Sequence, residues 1–389
     1  MDFKLTDEQE LMVENVREFC EREITEERIA KWYEDRRVEP AVTKAYLEAG
    51  FGYMFIPEEY GGIPSDALTL ALVVEELMRC TGATMPFMSY GLAMYDLATY
   101  GTPEQVQEGM EEYKKTGEQV FSLALSEPVG GSDNQSMTAT CHWQDDGTVV
   151  LNGTKTMVSH AETAPWIMYI GKDEDPSHDN RSMSMFLVPK DTPGITMTPL
   201  HKIGQTITNF DEVYFDNVTV KASDTLLGEK GKGFLQLMKN FEIERIMLAA
   251  HSLGLAQAAL EDATRYAAQR PAFGQPLYKF QLIAEKLTDM EIKCQNMRNL
   301  LYKTAWEFDN GISVRLDSAL VKRYISIECT NVASEAMQIF GGIGYTTESR
   351  IGRIWEDCRG DSFAGGTPEI MVHIAGRQIV KKYASDLLA

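Results

Sequence analysis

The spacing of apolar residues changes twice along the chain. Over residues 1–119 apolar positions recur at helical spacing, beginning just after Thr6-x-x-Gln9, a sequence typical of a capping box. Over residues 120–232 they form short alternating or β-branched runs, and from residue 233 the helical period returns. The pattern therefore predicts an α+β protein: an N-terminal α-helical domain (1–119), a middle β domain (120–232) and a C-terminal α-helical domain (233–389).

The predicted elements refine this layout. Regularly spaced strands favour an antiparallel barrel or sandwich in the middle domain, and long helices favour a bundle after it. A βαβ alternation is missing from the pattern, which argues against a Rossmann dinucleotide domain. The predicted strands cover 120–126, 138–143, 148–151, 154–159, 166–170, 183–188 and 212–220, and the predicted long helices cover 234–269, 280–310 and 315–340.

Composition and charge exclude several function classes. The 389 residues, 44% hydrophobic and 24% charged, are typical of a globular chain with an enclosed core. A net charge of −21 is the wrong sign for binding nucleic acid or an anionic membrane. The chain begins with acidic residues and its apolar runs are short, so we expect a cytoplasmic protein. Its cysteines and histidines lack ligand spacing, so we expect no metal site.

Three glycine-rich stretches are candidate ligand loops. The stretch at 341–344 follows a predicted helix and has Thr347 where a dinucleotide loop needs glycine, and 228–233 lacks the order of a phosphate-binding loop. The stretch at 126–133 ends a predicted strand and exposes backbone donors among small residues. Its spacing fits either a pyrophosphate cradle or a plain tight turn.

Eight short motifs are spread along the chain. They are Pro57-Glu-Glu-Tyr-Gly-Gly62, Ser126-Glu-Pro-x-x-Gly-Ser-Asp133, Asn152-Gly-x-Lys155, Gly228-x-x-Gly-x-Gly-Phe234, Glu244-Arg245, Arg270-x-x-Phe-Gly-Gln275, Gln338-x-x-Gly-Gly342 and Gly366-Thr-x-Glu369. Taken together, these motifs resemble the flavin-dependent acyl-CoA dehydrogenase family over essentially the whole chain. Within that family the pattern is most similar to the crotonobetainyl-CoA reductase branch, and the helical, β, helical layout is the family's architecture.

The resemblance implies FAD as the cofactor and a homotetramer in which a neighbouring subunit completes each flavin site. Met157 departs from the aromatic residue common at its position, although a thioether still packs against a ring. The implied contacts within one subunit are Leu125, Ser126, Ser132, Met157, Ser159, Thr367 and Glu369. The implied contacts from the neighbour are Arg270, Phe273, Gln281, Gln338, Gly341 and Gly342, with the Arg270 guanidinium suited to a pyrophosphate.

The catalytic base is the main departure from the family pattern. Many members carry a glutamate directly before the Gly-Thr of the C-terminal loop, where this chain has Gly365. Members of the isovaleryl-CoA type carry it on a helix before an arginine, which matches Glu244 here. On that helix Glu244 shares a face with mostly apolar residues and has no Lys or Arg one turn away, so its pKa should be raised, as a base near neutrality requires.

Other residues are expected to hold the substrate. Motif position assigns substrate contacts to Ser132, Phe241, Glu242, Arg245, Gly365 and Gly366. A backbone N–H in the 365–366 loop can polarise the thioester oxygen without a side chain. Thr367-Pro368 reads as an N-cap followed by proline, which aims a helix N-terminus at the same region.

The resemblance thus implies dehydrogenation of an acyl-CoA to a 2-enoyl-CoA, or the reverse reduction. Glu244 would be the base or acid, and an electron-transferring flavoprotein would exchange the electrons. Two alternatives stay open: a non-catalytic FAD- or CoA-binding member that lost its base at Gly365, and a base-free reaction such as desulfination of a CoA thioester.

Overall fold

The computed structural model describes residues 4–63, 65–174 and 182–387, and its elements follow the predicted order of helical, β and helical segments. The first helices are α1 (Asp7–Glu23), α2 (Glu26–Asp35), α3 (Pro40–Glu48), α4 (Ala67–Thr81), α5 (Phe87–Tyr100) and α6 (Pro103–Thr116). A short α7 (Ala222–Thr225) ends the β region. It is followed by α8 (Gly233–Gln269), α9 (Gln281–Asp309), α10 (Asp317–Phe340), α11 (Arg350–Gly360) and α12 (Pro368–Tyr383).

The helix ends follow from local sequence. Thr6 and Gln9 form the predicted capping box at the start of α1, which is thereby confirmed. Thr367 caps α12 and accepts a hydrogen bond from the backbone N–H of Ile370, with Pro368 at the first helical position as predicted. The three long helices α8, α9 and α10 begin and end within two residues of their predicted limits.

The strands form an eight-stranded sheet and a small hairpin. The large sheet has the order β6-β7-β3-β2-β4-β5-β8, with β1 also paired to β4. Its strands are β1 (Phe121–Ala124), β2 (Thr140–Trp143), β3 (Thr148–Ser159), β4 (Trp166–Asp173), β5 (Met183–Pro189), β6 (Ile195–Leu200), β7 (Phe210–Lys221) and β8 (Leu226–Leu227). The hairpin, β9 (Pro271–Ala272) and β10 (Gln275–Pro276), connects α8 to α9.

The prediction of purely antiparallel pairing is wrong at β4. Both β1 and β2 run parallel to β4, with Phe121 opposite Trp166 and Thr140 opposite Lys172. Because β5 follows β4 along its other edge, β1 and β2 share one edge as two pieces of an interrupted strand. The chain leaves that edge after β1, makes a long loop over 125–139, and returns in the same direction. We call this segment the 125–139 loop.

Two further strand predictions need correction. The runs 148–151 and 154–159 are one strand, β3, whose pairing with β7 shifts register at Gly153 and again between Lys155 and Val158. Gly153 has φ +141°, a conformation that glycine adopts freely and that split the hydrophobic alternation. Strand β6 was missed because it is a half-exposed edge strand that contains Pro199.

Close packing of α4 and α8 fixes the long helix that crosses the molecule. A Cβ atom on Gly254 would lie 2.2 Å from the Glu75 carbonyl oxygen, so only glycine allows this approach. Helix α8 also packs along α10 and α9, which buries most of its length. No helix among the described segments is both long and apolar enough to cross a membrane.

Candidate active site

Glu244 lies on α8 with its carboxylate free of ion pairs and hydrogen bonds to the described residues. The side chain is neither fully buried nor exposed. Burial raises its pKa to about 7, although the positive charges of Arg245 and Lys322 act in the opposite direction. A carboxylate with these properties is half ionised near neutrality and is able to accept or donate a proton.

The carboxylate of Glu244 faces the loop that carries Gly365. A Cβ atom on Gly365 would lie 3.5 Å from Glu244 Oε1 and 2.5 Å from Leu248 Cδ1. Gly365 has φ +60°, which also favours glycine over any residue with a side chain. Glu244 therefore lies next to the position from which a glutamate at 365 would start, and a side chain there would collide with α8.

A buried network anchors the loop between α11 and α12. The Asp361 carboxylate accepts hydrogen bonds from Ser252 Oγ (2.7 Å) and Gln205 Nε2 (2.9 Å) and lies 3.1 Å from His251 Nδ1. Burial disfavours charge on His251, but the neighbouring Asp361 outweighs it and raises the pKa of His251. The loop is thus held at its start by Asp361 and at its end by the Thr367 cap.

Lys322 of α10 places a buried ammonium group close to the same loop. Its Nζ donates to the Asp361 carbonyl oxygen at 2.6 Å, and its Cε lies 3.9 Å from the Cβ position on Gly365. Burial lowers the pKa of Lys322, while Glu244 and Asp361 oppose that effect. The ammonium therefore favours the ionised form of Glu244 across a short distance.

A second carboxyl group, Asp96 of α5, lies near the base. Asn240, one helical turn before Glu244 on α8, donates a hydrogen bond from Nδ2 to Asp96 Oδ1. Burial and the negative charge of Glu244 raise the pKa of Asp96 to about 8. Tyr100 contacts the other side of the Asn240 amide, with its hydroxyl 3.1 Å from Oδ1. The facing sides of α5 and α8 thus carry two carboxyl groups and one amide.

Arg245 is a buried arginine without a counter-ion in the described structure. It is 5% exposed, and its Nε has no hydrogen-bond partner among the described atoms. The guanidinium lies 5.7 Å from the ring centroid of Phe241. Burial lowers the pKa of Arg245, while the charges of Glu244 and Glu242 oppose that effect. A buried guanidinium with free donors can bind a polar or anionic ligand group.

The residues expected beside a flavin within one subunit meet where the 125–139 loop crosses β3. The Thr156 N–H donates to the Ser126 carbonyl at 2.9 Å, which places Ser126 next to Met157. Met157 is 62% exposed with φ +56°, at the register shift of β3, where a bulge turns its thioether outward. This exposed apolar side chain beside open loop backbone fits a planar ring system.

A buried ion pair holds both ends of that loop. Lys155 is fully buried, and its Nζ donates to Glu127 Oε1 (2.9 Å) and to the Leu125 carbonyl (3.2 Å). The Glu127 carboxylate also accepts from the backbone N–H groups of Thr138 (2.7 Å) and Ala139 (3.0 Å). Despite burial, these contacts lower the pKa of Glu127 below its usual value. Between these anchors the loop backbone borders open space, because a Cβ atom added at Gly131 would have no other atom within 4 Å.

The remaining predicted contacts divide into two groups. Ser132 is exposed in the 125–139 loop, Ser159 ends β3 opposite Phe210 of β7, and Thr367 and Glu369 begin α12. Six others lie exposed at one end of the helical domain, where Tyr266 of α8 stacks on Phe340 of α10 at 4.3 Å. These are Arg270, Phe273, Gln281, Gln338, Gly341 and Gly342.

Sequence reasoning missed Asp96 and Lys322. Asp96 is the one charged residue of α5, and Lys322 lies on the buried face of α10, so each is a charge on an apolar stripe. That signal is readable in the sequence, but the proximity of either residue to Glu244 depends on helix packing. In 4–63, 65–174 and 182–387 no three His, Cys, Asp or Glu side chains are grouped to hold a metal ion, and His178 lies outside these residues.

Family comparisons cover nearly the whole chain. Residues 6–113 match the model for the acyl-CoA dehydrogenase N-terminal domain, residues 122–218 the middle domain, and residues 231–380 the C-terminal domain. The chain is similar to the probable acyl-CoA dehydrogenase YdiO of Escherichia coli strain K12, with 41% identity over 383 residues, 98% of this chain and 99% of that protein.

Solved structures show the same similarity. The acyl-CoA dehydrogenase from Slackia heliotrinireducens DSM 20476 superposes with a TM-score of 0.88 at 39% identity, covering 99% of both chains. The butyryl-CoA dehydrogenase from Megasphaera elsdenii superposes with a TM-score of 0.88 at 31% identity, covering 98% of this chain and 100% of the other.

Proposed function

Because the chain belongs to the acyl-CoA dehydrogenase family, an FAD-dependent oxidoreductase family acting on CH–CH bonds, we propose that Glu244 is its catalytic base and acid. In this proposal the enzyme interconverts a saturated acyl-CoA and its 2-enoyl-CoA. The observation that carries the assignment is the Glu244 carboxylate, unpaired, with a pKa raised to about 7, lying against Gly365. A merely structural glutamate at this depth would have an ion-pair partner.

The residues around Glu244 suit the two proton steps. In the oxidative direction the carboxylate takes the α-proton of the thioester, and in the reductive direction the carboxylic acid returns it. Bound FAD would supply the hydride-transfer chemistry at the β-carbon in either direction. Backbone N–H groups of Gly365 and Gly366 would donate to the thioester oxygen as enolate character develops. Arg245 would contribute its free donors to the CoA portion, together with Ser132, Phe241 and Glu242.

The flavin would bind in the exposed region formed by the 125–139 loop and β3, against Leu125, Ser126, Ser132, Met157 and Ser159. Thr367 and Glu369 would contact it from the start of α12. The exposed group Arg270, Phe273, Gln281, Gln338, Gly341 and Gly342 would contact the flavin of a neighbouring subunit. The family resemblance implies that the subunits form a homotetramer. We further propose a cytoplasmic enzyme that exchanges electrons with an electron-transferring flavoprotein. The resemblance to the crotonobetainyl-CoA reductase branch favours the reductive direction, although no single residue of the chain encodes it.

Anaerobic titration tests the base assignment. Purified flavoprotein is titrated with saturated acyl-CoAs, and dithionite-reduced protein with 2-enoyl-CoAs, while the flavin absorbance is followed. We expect bleaching or reoxidation in the wild type, and thioester binding without a redox change in Glu244→Gln. The matched control is Glu242→Gln, the same change two residues away, which should weaken binding but keep the redox change.

Two results would overturn the proposal. Full activity in Glu244→Gln would refute the assignment of Glu244 as the base and would favour a reaction that takes no α-proton. An unchanged flavin with every thioester in both directions would favour a binding protein without catalysis.

A further inference from the structure

The inference concerns Gln205, which lies in the loop between β6 and β7. This loop, residues 201–209, leaves the sheet and packs against α11 in the helical domain. Gln205 has φ +52°, a left-handed conformation that a glutamine adopts only where its surroundings hold it. Its contacts therefore offset the cost of that backbone conformation.

Three hydrogen bonds join Gln205 to α11 and to the residue that follows this helix. The backbone N–H of Gln205 donates to Asp357 Oδ1. Its Nε2 donates to the Asp357 carbonyl oxygen (3.0 Å) and to Asp361 Oδ1 (2.9 Å). Asp357 and Asp361 are 0% and 1% exposed, so water cannot readily replace these donors. The amide group thus uses both of its hydrogens on one short stretch of chain.

Two glycines allow this close approach. A Cβ atom on Gly204 would lie 2.6 Å from the Glu356 carbonyl oxygen, and a Cβ atom on Gly360 would lie 2.8 Å from Gln205 Nε2. A side chain at either glycine would push the 201–209 loop away from α11. The contact of Gln205 with the end of α11 therefore depends on the backbone of both segments.

Gln205 lies between the two sides of the proposed site. On one side, its partner Asp361 ends α11 and begins the loop that carries Gly365, a proposed donor to the thioester oxygen. On the other side, the chain continues from Gln205 into β7, where Phe210 pairs with Ser159 at the end of β3, in the proposed flavin region. The amide of Gln205 therefore connects the segment proposed to contact the thioester with the strand proposed to contact the flavin.

We propose that Gln205 is a positioning residue that sets the spacing between the thioester loop and the flavin. It touches no reacting atom, and its effect passes through Asp361 to the backbone N–H groups of Gly365 and Gly366. This rests on the proposed function and adds to it a residue of the middle domain. A misplacement of about 1 Å at donors that meet a developing charge costs roughly 100-fold in rate. We expect loss of the amide to slow the reaction by about 10-fold or more.

The test uses Gln205→Gly and Gln205→Met in the FAD-loaded enzyme. Glycine suits φ +52° and removes the amide, so this variant should fold and bind FAD at full stoichiometry. Methionine keeps the length of the side chain without a donor. Reduced flavin is reoxidised with 2-butenoyl-CoA and with the other 2-enoyl-CoAs of the titration. We expect the limiting rate per bound flavin to fall by about 10-fold or more in both variants, while the half-saturating thioester concentration stays within about 3-fold of the wild type.

The matched control is Asn217→Gly. Asn217 also has φ +52°, on β7, but it is exposed and its amide bonds Asp216 instead of α11. This change should leave the rate unchanged.

Wild-type rates per bound flavin in both Gln205 variants would overturn the inference, even if their melting temperatures fell, because a purely structural residue changes the amount of folded enzyme and not the rate of each site. Failure of both variants to fold would also reduce Gln205 to a structural role and overturn the inference. Failure of every thioester to react with the wild type would instead overturn the proposed function.

Discussion

At the residue scale, the site depends on the charge balance at Glu244. Burial raises the pKa of this carboxyl to about 7, and the nearby Lys322 ammonium limits the rise. Lys322 is therefore a positioning residue whose charge sets how much of the base is ionised at neutral pH, although it reaches no reacting atom in our proposal. Its hydrogen bond to the Asp361 carbonyl holds it in place.

Replacing Lys322 by methionine should shift the pH dependence upward. In the proposed mechanism oxidation of an acyl-CoA needs ionised Glu244, so kcat/KM should rise through pH about 7 in the wild type and fall off below it. Without the ammonium, ionised Glu244 loses a neighbouring opposite charge, so the pKa of Glu244 rises. The acidic limb of the pH profile of kcat/KM should therefore move up by about 1 pH unit. Lys322→Arg is the control that keeps the charge; an acidic limb at the same pH in Lys322→Met would contradict the role.

Gly365 can be tested in the same way. Gly365→Ala forces a side chain into a left-handed conformation and against Leu248, which should cost about 2 kcal/mol of unfolding free energy. It should also displace the Glu244 carboxylate and lower kcat by at least about 10-fold, since catalysis depends on its position. Denaturant unfolding and steady-state kinetics measure the two effects.

The matched control is Gly376→Ala on α12, where a Cβ atom meets nothing within 4 Å. It should leave kcat unchanged and add about 0.5–1 kcal/mol to the unfolding free energy, because alanine suits a helix interior better than glycine. If Gly365→Ala behaved like this control, the close approach of the loop to α8 would not matter for catalysis.

At the element scale, the interrupted edge strand is the feature that creates the proposed flavin region. Strands β1 and β2 are each four residues long and cannot by themselves fix the loop between them. The buried pair Lys155–Glu127 ties that loop to β3 at both ends. The geometry of the loop therefore depends on this one ion pair. Removing either partner would leave the other charge buried and uncompensated.

Lys155→Met should destabilise the fold by about 3–5 kcal/mol, because it leaves the Glu127 carboxylate buried without its partner. It should also weaken FAD retention more than a Lys→Met substitution at an exposed lysine does. Thermal unfolding and the flavin-to-protein absorbance ratio measure both effects. The double variant Lys155→Met with Glu127→Gln should recover part of the stability; a double variant no more stable than the single one would argue against the pair as the cause.

How far the sequence predicts the molecule depends on the range of the interactions involved. Residues close in sequence determine the capping box of α1, the cap of α12 and the three long helices. These features were predicted correctly. The parallel pairing of β1 and β2 with β4 depends on which distant strands meet, so alternation alone could not show it. The same holds for the site: Glu244 stands out on its own helix, whereas Asp96 and Lys322 matter only through packing of α5 and α10 against α8.

At the scale of the whole molecule, one end of the helical domain carries exposed apolar side chains. Phe273 is 97% exposed, Tyr345 85% and Leu282 72%, beside the exposed Arg270 and Gly341. Phe273 also has φ +49° in the turn of the β9–β10 hairpin, a strained conformation for an aromatic residue. Exposed large apolar residues held in a strained turn are typical of an interface between subunits.

Phe273→Asp should therefore weaken both subunit association and FAD binding. A charge in place of an aromatic ring at an interface loses apolar burial and adds a desolvation cost, so the variant should dissociate at concentrations where the wild type stays assembled. Light scattering after size-exclusion chromatography measures the mass, and the flavin absorbance ratio measures FAD. Leu11→Asp, a 58% exposed position on α1, is the control that should change neither. If the mass fell while FAD stayed bound at full stoichiometry, each subunit would hold its flavin unaided; a parallel loss of both is expected if Phe273 reaches into a neighbour's site.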